Sequence, residues 1–170
     1  MSKSNDDKLF PNTKSEYGEK YSEHLIEQYR IYVENTDKLL DRRDKANTFF
    51  LSANSFLLSA LGILTQFNFL ILNVYWIVIA SVAGITFAMT WMLVVRSFRQ
   101  LSSGKFEVIN AIEKKLPAAP FTKEWEFLEY GQNWKKYTKL TKIEIIVPII
   151  FAGLYIALSI LILVINNKSN

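Results

Sequence analysis

The chain has no cysteine, which excludes disulfides, thiolate metal sites and thiol redox chemistry. Its one histidine, His24, cannot form a paired-imidazole site and reads as a solvated residue on a helix surface. Hydrolase elbows, phosphate-binding glycine loops and paired metal-ligand motifs are absent. Charge is missing over long stretches. The 50 residues 46–95 contain no Asp, Glu, Lys, Arg or His, and residues 145–167 are also free of them. Serines are plentiful in the first run, but no acid or base accompanies them, so intramembrane catalysis has no partner for a nucleophile. Composition therefore points away from an enzyme and from any cofactor or metal.

The uncharged runs are the main positive signal. A hydrocarbon core about 30 Å thick needs roughly 20 apolar residues per helix. With a polar dip around Gln66–Asn73, the chain reads as three transmembrane helices at 47–66, 71–95 and 145–165. The fold class expected is all-α: a polytopic membrane protein with three transmembrane helices and a cytoplasmic helical layer. Of the 20 Lys and Arg, nine precede Ala46, none lies in 66–73, ten lie in 96–142 and one is in the tail. Positive residues are retained on the cytoplasmic side. The N-terminus and segment 96–143 are thus expected in the cytoplasm, with the 66–73 loop and tail 166–170 outside. No cleavable signal is expected, because about 45 charge-rich residues precede the first apolar run. The Asn167–Ser169 triplet matches a glycosylation acceptor only weakly.

Residues 1–17 read as a polar, disordered leader. No Gly or Pro falls between Glu19 and Leu61, so a cytoplasmic helix over 18–46 can run unbroken into the first span. Tyr21, Leu25, Tyr29, Tyr32 or Val33, Thr36, Leu39 or Leu40, and Arg43 recur at helical spacing and form one face. Beyond the second span, Phe106, Ile109, Ile112 and Leu116 predict a short helix starting near Ser102–Gly104. Pro117 and Pro120 force a turn. Thr122 is the expected cap of a further helix, with Glu124 and Glu126 in its first turn and Gly131 as a possible interruption. This paired-helix insertion can pack on the Tyr21–Leu40 face.

Within the spans, Thr48, Ser52, Ser55, Ser59, Gly62 and Gln66 are spaced to share one face of the first helix. Such a stripe serves close helix packing, or lines water if it faces a lumen. Ala80, Gly84 and Ala88 form a packing seam in the second span, with Gly153 and Ala157 a smaller one in the third, where Pro148 is expected to bend the helix. Tyr75, Trp76 and Trp91 fall near the ends of the second span, where amphipathic rings prefer to sit. Arg42, Arg43, Arg96, Arg99, Lys135, Lys136, Lys139 and Lys142 are candidates for lipid-headgroup or inter-subunit contact. Segment 96–142 carries ten bases against five acids, which suits anionic lipid. Nucleic acid is disfavoured, because these bases adjoin span ends and no nucleic-acid motif accompanies them.

The runs Tyr29–Asn54 and Leu116–Glu144 resemble the RipA-family octameric membrane proteins of bacteria. Tyr32-Val33-Glu34, Asp41-Arg42-Arg43, Asn47 with Phe49-Phe50, Pro120-Phe121-Thr122 and Glu124-Trp125 carry the likeness. The resemblance implies a small bacterial inner-membrane protein assembled as a homo-octamer, with no defined reaction. A lesser resemblance is to two-span effector modules of bacterial defence operons, from which the third span departs. The function expected is a non-enzymatic scaffold with a cytoplasmic helical collar; the alternative is an oligomeric channel or pore lined by the Thr48–Gln66 stripe. The residues identify no protein partner beyond the chain itself.

Overall fold

The structure is a computed structural model and describes residues 8–66, 74–138 and 140–169. The described residues are helical or irregular, with no strand. Helix α1 spans Lys14–Tyr17, α2 Tyr21–Gln66, α3 Val74–Glu113, α4 Pro120–Phe127 and α5 Leu140–Ser169, with a 3₁₀ turn at Glu129–Gly131. Three of them are long and apolar enough to cross a membrane: α2, α3 and α5. The 66–73 loop expected outside lies mostly beyond the described residues, as does Lys139.

Contacts divide the chain into two units, Met1–Asp41 with Arg99–Lys139, and Arg42–Phe98 with Leu140–Asn170. In the first, Leu25, Thr36 and Leu39 of α2 and Ile109, Ile112 and Glu113 of α3 are buried. All but Glu113 are residues that the three- and four-residue spacing selects. Lys105 Nζ lies 4.7 Å from the Tyr32 ring centroid, and Phe106 meets Phe121 edge-on at 5.9 Å. Residues 8–17, expected as disordered leader, are structured here. Thr13 and Glu16 form a reciprocal capping box, and the Phe10 ring lies 3.3 Å from Lys115 Nζ. Gly18, at φ 93, makes the turn into α2, a conformation that a Cβ disfavours.

Three local expectations change. Helix α3 runs through Ser102–Gly104 without a break: one helical glycine costs only about 1 kcal/mol against alanine, and burial of Ile109 and Ile112 supports the continuation. Thr122 does not precede α4 but lies inside its first turn, because Pro120 opens the helix, and Glu124 and Glu126 fall beyond that turn. The chain after Phe127 then leaves the α-helix at Glu129, Tyr130 and Gly131, all with positive φ.

In the second unit, Phe50, Trp91 and Val95 form the core, with Phe87, Val94, Ile145, Val147 and Phe151 packed around it. The Phe50 and Trp91 rings stack 5.9 Å apart at 8°. Trp91 is thus a core residue and not an interfacial anchor, whereas Tyr75 and Trp76 are exposed. Pro148 is buried within α5, which continues past it. Lacking an N–H, it cannot donate to the carbonyl of Glu144 four residues earlier.

Candidate functional site

Two side-chain networks in the second unit tie its three helices together. At the charged end of the spans, Arg43 and Asn47 stand one helical turn apart on α2. Glu144 of α5 reaches both: Arg43 Nη2 donates to its Oε2, and Asn47 Nδ2 donates to its Oε1 at 2.7 Å. Trp91 Nε1 of α3 donates to Asn47 Oδ1 at 3.0 Å. Asn47 therefore spends its amide hydrogen on one helix and its amide oxygen on another, which fixes the orientation of the group. The Arg43 and Glu144 side chains are only 11% and 9% exposed. A pair this dry is costly to break from one side, because the surviving charge stays buried.

Two turns further along α2, Asn54 is fully buried. Its Nδ2 donates to Phe50 O at 2.9 Å, and Tyr155 Oη of α5 donates to Asn54 O at 3.2 Å. The Tyr155 ring fits because α3 has Gly84 beside it: a Cβ there would stand 2.5 Å from the ring. Ala88 and Gly84 are buried and Ala80 half-buried, so this seam faces the interior of the unit. The smaller seam does not, since Gly153 and Ala157 are exposed. Ser81 is buried, and its hydroxyl has no hydrogen-bond partner among the described residues.

The polar stripe lies elsewhere. Thr48, Ser52, Ser55, Ser59 and Gly62 are all exposed, while Phe50, Asn54 and Leu61 form the buried side of the same helix. The side chain of Gln66 is outside the described set. Thr48, Ser52, Ser55 and Ser59 thus lie away from the buried side of their own helix.

In the first unit, Glu113 is a buried hub at the end of α3. Its Oε1 accepts from Tyr29 Oη and Phe121 N at 3.0 Å each, and its Oε2 from Thr122 N at 2.9 Å and Thr122 Oγ1 at 2.8 Å. A carboxylate thus receives the free N–H groups that open α4, where negative charge is favoured. Burial alone raises the Glu113 pKa, but the Thr122 and Phe121 donors with the Tyr29 phenol outweigh it and hold the carboxyl below its ordinary value. Burial, with Glu113 beside it, pushes Tyr29 up to about 12. His24 is half-buried rather than solvated; its Nδ1 is 2.9 Å from Tyr17 Oη, beside a cavity of about 280 Å³ that Phe10, Tyr21 and Leu25 help to line.

Of the basic candidates, Arg43 pairs with Glu144 within the chain. Arg42, Arg96, Arg99 and Lys135 are exposed, and Lys136 is exposed and paired with Glu129. The side chains of Lys139 and Lys142 lie outside the described set. Among the described residues no group of three or more His, Asp or Glu is placed to hold a metal.

This arrangement of three tied spans and a separate charged helical unit coincides with one comparison. The sequence pattern of the octameric membrane protein family (8xMP) matches residues 26–164. The chain belongs to that family. The match takes in every residue of both interhelical networks and the Glu113 hub, and the family's name implies octameric self-association of a multi-pass membrane protein. No curated protein and no solved structure matches the chain.

Glu113, Asn54, Glu144 and Tyr155 were not singled out as site residues by sequence reasoning. Two signals were present: an acid between Lys142 and an uncharged span, and an asparagine beside, rather than on, the polar stripe.

Proposed function

We propose that this octameric membrane protein family member is a non-enzymatic scaffold of bacterial inner membranes, close to the RipA-type members, whose first-span stripe joins neighbouring subunits. Its N-terminus and segment 96–143 would be cytoplasmic and form a helical collar. The distribution of nine, zero, ten and one basic residues across the successive segments supports this orientation. The observation that carries the reading is the exposure of Thr48, Ser52, Ser55 and Ser59 opposite a buried face already filled by the chain's own helices. Small and hydroxyl side chains let a second backbone approach closely and hydrogen-bond across the contact.

The same exposure favours a second reading. If the stripe faced the axis of an octamer, eight copies would line a wet channel. A Ser55→Leu/Ser59→Leu double variant separates the two. The scaffold reading expects the octamer to fall to smaller species by native mass measurement in lipid nanodiscs. An intact octamer with lowered conductance in planar bilayers would transfer the stripe to a pore. An intact octamer with no conductance in either protein would remove the stripe from both roles.

A further inference from the structure

From Tyr130 to Ile143 the chain has four lysines and no acid. The same stretch holds Trp134 and Tyr130, which are 73% and 51% exposed, and Phe127 just before it is 77% exposed. A water-soluble surface seldom shows three large rings within eight residues, and isolated exposure does not explain them. The backbone also contributes. Glu129 and Tyr130 have φ values of 50° and 54°, a left-handed conformation costing roughly 1–2 kcal/mol per non-glycine residue. Such strain persists where the local structure serves a role that a relaxed turn would not fill.

We propose that residues 127–138 dock on the membrane surface, with Tyr130 and Trp134 in the headgroup region and Lys135 and Lys136 against anionic lipid. Connectivity restricts the partner. Trp134 is six residues ahead of Leu140, where the helix of the third span begins, and six residues extend at most about 22 Å. The segment is therefore tethered close to a bilayer whichever way it turns. Amphipathic rings partition to that depth, with the apolar body inside and the polar edge wet. Lysines add attraction where the leaflet is negative. The Lys136–Glu129 pair is exposed, so it competes weakly with a lipid phosphate.

Because the chain has no cysteine, one thiol-reactive probe reports one position. Full-length protein carrying Gln132→Cys or, as a control on the exposed side of α2, Ile26→Cys is labelled with an environment-sensitive dye. Each is placed in nanodiscs of neutral phosphatidylcholine or of phosphatidylcholine with phosphatidylglycerol, with or without shallow spin-labelled lipid. Docking expects blue-shifted emission and lipid quenching at 132, stronger with phosphatidylglycerol, and little of either at 26. Lys135→Gln/Lys136→Gln should lower the docked-to-free ratio about 30-fold, taking about 1 kcal/mol per lysine near the surface at 1.4 kcal/mol per tenfold. Equal aqueous exposure at 132 and 26 in both lipids would overturn the proposal. So would a blue shift at 132 that persists in detergent without lipid quenching, which would assign these rings to a protein contact between subunits.

Discussion

Replacing Glu144 with glutamine isolates the charge of the clamp. Glutamine keeps the shape of the side chain and an oxygen for Asn47 Nδ2, so the change removes the ion pair and little else. Arg43 would then hold its charge at a site where only 11% of its side chain meets solvent. Breaking a buried pair from one side costs about 3–5 kcal/mol, a large share of the roughly 5–15 kcal/mol that keeps a domain folded. Arg43→Met should be costly for the mirrored reason, since it strands the carboxylate. The double variant should be less damaged than the sum, because neither charge remains to be stranded. Reversible unfolding of all four proteins in mixed detergent micelles, followed by tryptophan fluorescence, gives the coupling energy directly. Residues sharing a network couple by about 0.5–3 kcal/mol, and the upper half of that range is expected here. Single-variant losses that add to the double-variant loss within about 0.5 kcal/mol would refute the clamp as an energetic unit.

The other networks make separate predictions. Gly84→Ala should destabilise the second unit by about 1–3 kcal/mol through overpacking on Tyr155, and Tyr155→Ala in the same chain should remove most of that extra loss, both read as thermal shifts. Ser81→Ala should be neutral or stabilising by up to about 1 kcal/mol in the same assay, since it removes a buried hydroxyl without a partner; a clear loss would reveal a partner. Glu113 and Tyr29 bracket the pH range of the first unit. The Glu113 carboxyl is lowered when folded, so its contribution is present above the ordinary glutamate value and fades as pH falls through the folded one. Tyr29 is raised to about 12, so its contribution is present below about 10 and fades as pH rises towards about 12. Melting temperature against pH should flatten on the acid side in Glu113→Gln and on the alkaline side in Tyr29→Phe.

Hydropathy alone carried the reading as far as three apolar helices, because a membrane span announces itself through 20 adjacent residues and needs no knowledge of partners. The helical face of Leu25, Thr36 and Leu39 was legible for a similar reason: periodicity is local. The pairing of Arg43 is invisible to local sequence, because Glu144 is 101 residues away. Spacing says which residues share a face, not which face meets what. The Thr48–Ser59 stripe illustrates the difference, since its spacing is unmistakable yet it lies on the exposed side of α2. Trp91 was assigned to the interface by its distance from the span end, yet stacking on Phe50 and donation to Asn47 bury it. Thr122 was assigned as a cap on residue preference, but a carboxylate from another helix does the capping, and no local pattern encodes that.

Fold and assembly meet in how little of each span the chain itself covers. The most apolar windows of α2, α3 and α5 are only 17%, 28% and 11% buried. In water such exposure would drive collapse; in a bilayer it drives nothing, because lipid tails are as apolar as leucine. Cohesion among the three helices must come from features lipid cannot reproduce: the Arg43–Glu144–Asn47–Trp91 chain, the Asn54–Tyr155 tie and the close fit of Gly84. These run from helix to helix within the unit. Among the small and hydroxyl side chains left outside, those of Thr48, Ser52, Ser55 and Ser59 form a continuous stripe on one face of the first span. The family's name implies octameric self-association, and under the scaffold proposal that stripe is where the same non-lipid interactions would meet a second copy, with the inward ties holding it in a fixed register.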